Sequence, residues 1–156
     1  MKPWKTRLMM NSFPALLFQG IRLRKISPDF KRMEVRVRRN LLKKNLQKAI
    51  FGGSIFSAGD PYMAIMYWQL FAHQGIQTEA WLKKAEIAYL KPATTHLDLV
   101  FELSEAEVNE ALQAIEEKGK FERWHTIEAK DQNGQLCAGI RTLVHLRKCG
   151  FQNSVG

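Results

Sequence analysis

A single carboxylate stands inside the most apolar stretch of the sequence. Between Ile50 and Ala72 almost every residue is apolar or small, and Asp60 carries the only charged side chain. Burying an ionised carboxylate without a partner is costly, so such a group shifts its pKa, gains hydrogen bonds or lines a cavity. A carboxylate with a raised pKa is also a better general base than one in bulk water. Asp60 is therefore a candidate catalytic base or nucleophile, and a structural helix cap is the alternative.

Glycines and a proline frame this acid. The pair Gly52-Gly53 opens the apolar stretch, and Gly75 stands where a helix C-cap belongs. Pro61 cannot donate a hydrogen bond to the carbonyl one turn earlier, and it disfavours the α conformation of the residue before it. These signals predict a helix from Gly52 to Gly75, buried on most sides and kinked at the acid. The length would also suit a membrane span, but Asp-Pro near its middle argues against one.

The segments around this helix alternate polar and apolar residues, which is typical of half-buried strands. Ser104 and Glu107 have the spacing of a capping box and open a second helix. Asn133-Gly134 predicts a hairpin with a tight primed turn, since such turns need positive φ values. One long apolar helix among mostly antiparallel strands predicts an α+β fold in which the sheet wraps the helix. The predicted strands are 21–26, 33–38, 78–90, 97–103, 121–129 and 136–147.

Length and composition predict one domain, and the net charge suggests an anionic partner. The 156 residues suffice for one core and carry a formal net charge of +9. Nucleic acid, a membrane surface or a phosphate-bearing metabolite would fit this charge, although no nucleic-acid-binding motif is present; a solvated basic face is the alternative. We expect an N-terminal helical flank over 1–20, a single domain over 21–148 and a disordered tail over 149–156. Two cysteines without metal-ligand spacing fit a reducing, cytoplasmic location.

Several of these features together match one known family. They are Asn45, the Gly-Gly pair at the helix start, Asp60 after it, and the strand end 89–93 with the sequence Tyr-Leu-Lys-Pro-Ala. In this pattern the chain resembles the hotdog-fold acyl-CoA thioesterases, in which a curved antiparallel sheet wraps one central helix. It is similar especially to the phenylacetate-degradation type and to a bacterial thioesterase-like branch. The resemblance extends from about residue 21 to residue 148.

The resemblance implies hydrolysis of an acyl-CoA or related thioester, without a metal or a bound cofactor. Asp60 would activate water or attack directly, while a backbone N–H at the helix N-terminus would stabilise the charge that develops on the carbonyl oxygen. Gly52 has no side chain and would let the thioester approach that amide. Asn45 would orient the carbonyl or the water, with a plain turn residue as the alternative. Candidate substrate-binding residues at the helix start are Gly53 and Phe51. The acyl chain would lie along Phe56, Met63, Met66 and Tyr67, for which plain core packing is the alternative. The coenzyme A phosphates would meet Lys48, Arg147 and Lys148.

Gly52 and Asp60 cannot both act on one substrate within a single chain. In a helix, eight residues separate their backbones by about 12 Å along the axis. If both act, Asp60 of one copy must meet Gly52 of a second copy. The spacing therefore predicts a homodimer with two sites at its interface, and such dimers could pair into tetramers.

Two positions differ from many members of the resembled family. Phe51 stands where many of them have a histidine before the glycine pair, and Leu82 lies near a position where they often carry a hydroxyl or an acid. Neither side chain can make a polar contact with a thioester or with water. A non-catalytic acyl- or lipid-binding hotdog protein is therefore the alternative to an enzyme. A nucleic-acid-binding module is a third hypothesis, and it rests on net charge alone.

Overall fold

The computed structural model of the protein describes residues 1–39 and 49–150. The predicted site residues Asn45 and Lys48 lie outside the described residues, as does most of the predicted tail, 151–156. The described strands agree with the alternating segments of the sequence, with bounds that differ by at most two residues. The helices are α1 (Pro3–Ser12), α2 (Pro14–Phe18), α3 (Gly52–Gly59), α4 (Pro61–His73) and α5 (Glu105–Lys118), and the strands are β1 (Ile21–Ile26), β2 (Arg32–Val37), β3 (Thr78–Tyr89), β4 (Leu97–Glu102), β5 (Lys120–Asp131) and β6 (Leu136–Lys148).

The six described strands form one antiparallel sheet in the order β1-β2-β4-β5-β6-β3. Alternate side chains point to a shared core: Val35 and Met33 of β2 are buried opposite Leu99 and Phe101 of β4. Helix α3 packs on β2 and β6, while α4 packs on β3, β4 and β6. The sheet therefore wraps the helix pair, as the α+β prediction required.

The predicted kink in the central helix is confirmed. Helices α3 and α4 meet at Asp60, whose backbone N–H makes a long 3.4 Å bond to the Ser57 carbonyl. Pro61 is the first residue of α4, where its missing N–H leaves no bond unmade. Just before the break, a Cβ on Gly59 would lie 2.8 Å from Ile140 of β6. The missing side chain lets the helix approach the sheet at this point.

The β5–β6 turn differs from the predicted primed turn. Gly134 has φ of 76°, but Asn133 does not have a positive φ. The Gly134 N–H donates to the Asp131 carbonyl (2.9 Å), while the Asp131 carboxylate accepts the N–H groups of Asn133 and Gln135 at 2.9 Å each. A longer loop stabilised by an aspartate thus replaces the two-residue turn, because the carboxylate supplies the acceptors locally.

The second predicted helix begins as expected. Ser104 accepts the Glu107 N–H at 3.2 Å, and the Glu107 carboxylate accepts the Ser104 N–H at 2.8 Å. This reciprocal pair is the capping box. Gly119 ends α5 with φ of 68°.

The two edges of the described sheet are covered differently. Along β1, the Asn11 side chain of α1 donates to the Leu23 carbonyl (3.0 Å) and accepts the Leu23 N–H (2.8 Å). Along the twelve residues of β3, no described side chain bonds the backbone in this way. Open edges are templates for pairing with another strand. The free edge of the described sheet is therefore β3.

Candidate active site

Asp60 occupies the N-cap position of α4 but does not act as a cap. Its side chain makes no capping hydrogen bond, and no partner for it lies among the described residues. The structural-cap alternative is therefore wrong. Although the residue is exposed in the single chain, the apolar groups around it remove hydration and raise the pKa of the carboxyl. An acceptor-only group with free lone pairs is thus open to water or substrate.

A cavity of about 480 Å³ contains this carboxylate. One wall comes from α3 and α4, and the other comes from the N-terminal helices. The polar side chains of the lining are Asp60, Ser57 and Gln19. The apolar side chains and small residues of the lining are Met9, Met10, Phe13, Ala15, Leu16, Pro61 and Ile65. Such a cavity suits an apolar chain with one reactive polar end.

Asp60 also borders a second, smaller cavity. This space of about 250 Å³ lies between α4 and β3, with Trp68 and Ala64 on the helix and Trp81 and Leu82 on the strand among its lining. Leu82 therefore does share a cavity with the candidate base, and it supplies hydrocarbon there.

The start of α3 forms a separate cavity of about 390 Å³, which contains Gly52, Tyr89 and Lys91. The side chain of the N-cap residue Phe51 makes no capping hydrogen bond, and the first N–H groups point out of the helix end. The Tyr89 hydroxyl donates to the Gly52 carbonyl at 2.9 Å. Because that carbonyl and the Gly53 N–H belong to one peptide unit, the bond polarises the Gly53 amide as a donor.

Side chains at the glycine pair would collide with two aromatic rings. A Cβ on Gly52 would lie 3.0–3.1 Å from the Tyr89 ring and hydroxyl, and one on Gly53 would overlap the Phe51 ring. The pair therefore lets Tyr89 and Phe51 lie close over the helix start. Phe51 itself is the N-cap residue and remains 59% exposed.

The two predicted halves of the site lie in different cavities of one chain. Of the three cavities described above, Gly52 lines the one at the helix start, and Asp60 lines the two near the helix break. None of these three cavities contains both residues, as the helical spacing predicted.

Residues 4–145 match the family described as a domain of unknown function, DUF4442. The chain belongs to the DUF4442 family. No curated protein matches it significantly.

Solved structures similar to this DUF4442 protein share its fold. A protein of unknown function from Pseudomonas aeruginosa, named a probable thioesterase, is 17% identical with a TM-score of 0.76, over 93% of this chain and 95% of that chain. A thioesterase from Haemophilus influenzae is 9% identical with a TM-score of 0.68, over 98% and 95%. The PaaI protein of the E. coli phenylacetic acid degradation operon is 19% identical with a TM-score of 0.62, over 91% of each chain. The comparison confirms the predicted hotdog fold.

The predicted acyl-lining residues of this DUF4442 chain fall into two groups. Phe56 is 38% exposed, whereas Met63, Met66 and Tyr67 are core residues with at most 2% exposure. The three core residues line none of the cavities described above. At those positions the structure shows plain core packing. Because the helix is buried on most sides, its sequence does not tell which apolar residue faces a cavity.

Tyr67 instead takes part in a buried contact. Its hydroxyl lies 3.3 Å from Nε2 of His125, and Nδ1 of that imidazole lies 3.7 Å from the Glu107 carboxylate. Burial lowers the pKa of His125 to about 4, against the opposite effect of Glu107. The imidazole is therefore neutral at neutral pH and joins the central helix to α5.

Two of the predicted phosphate-binding residues, Arg147 and Lys148, are the last residues of β6. Arg147 and Lys148 line a cavity of about 440 Å³ together with Lys118 and Lys120. Arg147 is also paired with Glu79, its Nη2 lying 2.6 Å from the carboxylate. Its binding role stays a prediction.

Sequence analysis did not single out Tyr89, Ser57 or Gln19 as site residues. Tyr89 meets Gly52 from 37 residues away in the chain, so only folding brings them together. Ser57 is three residues before Asp60 and shares its helical face, a spacing that could have identified it. Gln19 reaches the cavity because the N-terminal helices fold over the break. Among the described residues no group of acids, histidines or cysteines is placed to hold a metal ion.

Proposed function

We propose that this protein hydrolyses acyl thioesters, with acyl-CoA as the leading substrate, at a site shared by two copies of the chain. The observation that carries the proposal is the unpartnered Asp60 carboxylate in an apolar cavity. Its raised pKa makes it a stronger base than an ordinary aspartate. Similar folds named thioesterases support the same reaction class.

The chemistry follows from the two helix ends. Asp60 takes a proton from water, the water oxygen bonds to the thioester carbon, and the carbonyl oxygen gains negative charge. The N–H groups of Gly52 and Gly53 donate to that oxygen. As the intermediate collapses, the C–S bond breaks and the thiolate receives the proton held by Asp60. Tyr89 does not touch the substrate in this scheme; it positions and polarises the amide.

The free edge of β3 is the surface through which two copies would meet. Tyr89 marks the Gly52 end of the strand, and Leu82 lies at the Asp60 cavity. An antiparallel pairing of two β3 strands would bring the Tyr89 end of one copy towards the Leu82 region of the other.

A mixing experiment tests the shared site. Asp60→Asn and Gly52→Val each remove one half, so each protein alone should release little thiol from a panel of acyl-CoAs. Co-refolding them at equal amounts creates mixed dimers in which one of two sites has both native halves. Statistical mixing then restores about a quarter of the wild-type activity. Co-refolding Asp60→Asn with itself is the matched control. Recovery of no activity, while both variants form dimers, would contradict the shared site.

The non-catalytic binder has one observation in its favour. Leu82 supplies hydrocarbon where a polar side chain could help position water. Under this alternative the wild-type protein binds acyl-CoA but releases no thiol at any chain length. Turnover that is lost in Asp60→Asn excludes it.

A further inference from the structure

The N-terminal helices expose a set of large apolar side chains. On α1 and α2 these are Trp4, Leu8, Met9, Phe13 and Phe18, which we call the N-terminal apolar surface; their exposed fractions run from 44% to 71%. Single exposed apolar residues are common, but five large ones within fifteen residues of the chain are typical of an interaction site.

The geometry of α1 directs two of them away from the protein. Thr6 and Met10, four residues apart, are buried against the domain. Trp4 and Leu8 are also four residues apart and lie on the opposite side of the helix. They are 57% and 64% exposed. Folding of the single chain therefore leaves these side chains in water.

The same region carries uncompensated positive charge. Residues 1–28 contain six lysines and arginines and no acid. Within the described part of the chain, Lys25 alone among these six has an ion-pair partner, Glu34. The cations Lys2, Lys5 and Arg7 lie on α1 or beside it. Elsewhere most described cations pair with acids, as Arg36 does with Asp98.

We propose that the N-terminal apolar surface docks on an anionic lipid bilayer. Tryptophan, phenylalanine and leucine enter the interface while neighbouring lysines and arginines contact lipid phosphates. A second copy of the chain fits less well, because a two-fold contact would set these unpaired cations against themselves. Nucleic acid fits less well, because the exposed aliphatic side chains of Leu8 and Met9 offer neither a stacking surface for bases nor a donor for phosphates. Within the described residues no helix is long and apolar enough to cross a membrane, so the contact is with the bilayer surface.

Docking would also orient the cavity that contains Asp60. Met9 and Phe13 belong both to the exposed surface and to the cavity lining. A long acyl chain could therefore pass from the bilayer into the cavity without crossing water. This last step rests on the proposed thioester hydrolysis, whereas the docking does not.

Vesicle co-sedimentation tests the docking without an activity assay. We expect wild-type protein and Asp60→Asn to bind phosphatidylcholine vesicles that contain phosphatidylglycerol, and to bind pure phosphatidylcholine weakly. Lys2→Gln/Lys5→Gln should weaken binding by about tenfold or more. Lys118→Gln/Lys120→Gln changes the net charge equally but lies where α5 ends and β5 begins, outside the N-terminal apolar surface, so it should have little effect. Equal loss in both double variants would show a response to net charge alone and overturn the proposal.

The apolar contribution has its own control. Trp4→Ser/Leu8→Ser should weaken vesicle binding by about tenfold or more, whereas the exposed Val100→Ser should not. Vesicles should also shift the tryptophan emission of the wild type to shorter wavelength, and Trp4→Phe should lose that shift while still sedimenting. Unchanged vesicle binding in Trp4→Ser/Leu8→Ser, with an altered oligomeric state, would assign the surface to contact between copies instead.

Discussion

The two ends of α3 offer opposite chemistry. At its start, Gly52 presents a backbone donor in a cavity whose described lining includes Tyr89 and Lys91 but no acid. At its end, Asp60 presents an acceptor in a mostly hydrocarbon cavity. The backbone donors at the start can stabilise a developing oxyanion but cannot activate water. The carboxylate at the end can activate water but cannot stabilise an oxyanion. Under the proposed hydrolysis, the contrast teaches that one chain would hold two incomplete half-sites, which pairing along the open β3 edge would join.

The largest effect is expected at the acidic end. Asp60→Asn keeps the shape of the side chain but removes the base, so kcat/KM for thioester hydrolysis should fall by about a hundredfold or more. Ser57→Ala alters the same cavity without removing the base, and it should cost far less. Equal losses in the two variants would show that cavity shape rather than basicity matters.

Asp60→Asn should lower activity without lowering the stability of the fold. Loss of hydration to the surrounding apolar groups raises the pKa of Asp60, so the folded state binds its proton more tightly than the unfolded state does. Protonated Asp60 contributes fully to the free energy of unfolding below the ordinary pKa of an aspartate. This contribution is lost as the pH rises through the raised pKa of the folded state. At neutral pH, Asp60→Asn should therefore have a Tm no lower than that of the wild type. Thermal unfolding checks this, and a clear loss of Tm would reveal a structural role.

The donor end should be sensitive to side-chain volume. Gly52→Val places two methyl groups where a Cβ alone would already approach the Tyr89 ring at 3.0–3.1 Å. We expect kcat/KM to fall by about tenfold to a hundredfold, because the substrate carbonyl loses its close approach to the amide. Gly75 is not a suitable control site, because its φ is positive and a valine there would strain the backbone. Gly139→Ala is the better control, since Gly139 has open space around it and no positive φ. Activity retained in Gly52→Val would remove the helix start from the site.

A smaller effect is expected from the residue that positions the donor. Tyr89→Phe removes the hydrogen bond to the Gly52 carbonyl and should lower kcat several-fold with little change in KM, the size of one neutral hydrogen bond. A merely structural role would lower Tm without this separation of kcat from KM.

The smallest effect on activity is expected away from both ends of α3, at His125 of β5. Burial lowers its pKa to about 4, from about 6.5 in the unfolded chain, so the unfolded state binds more protons between these values. Neutral His125 therefore makes its full contribution to the free energy of unfolding above pH 6.5. The free energy of unfolding falls by up to roughly 3 kcal/mol as the pH drops towards 4. Denaturant unfolding at several pH values measures this. In His125→Gln the free energy of unfolding should depend less steeply on pH, while kcat at neutral pH should change little.

Much of the site's local structure was readable from single segments. The break at Asp60 was predictable because Pro61 acts through its own missing N–H and through the residue beside it. The capping box needed only Ser104 and Glu107, three residues apart. The turn at Asn133-Gly134 was predicted with the wrong type, because the Asp131 side chain competes with the backbone for the same donors.

The sequence by itself determined the alternating strands, the kinked apolar helix and the separation of Gly52 from Asp60, because local sterics and helical rise govern all three. Tertiary structure alone decided that Tyr89 bonds the Gly52 carbonyl, that the N-terminal helices close a cavity over Asp60, and that Met63 and Tyr67 face the core. The physical reason is that these contacts join segments far apart in the chain. Nothing in a uniformly apolar helix indicates which of its sides a distant element will cover.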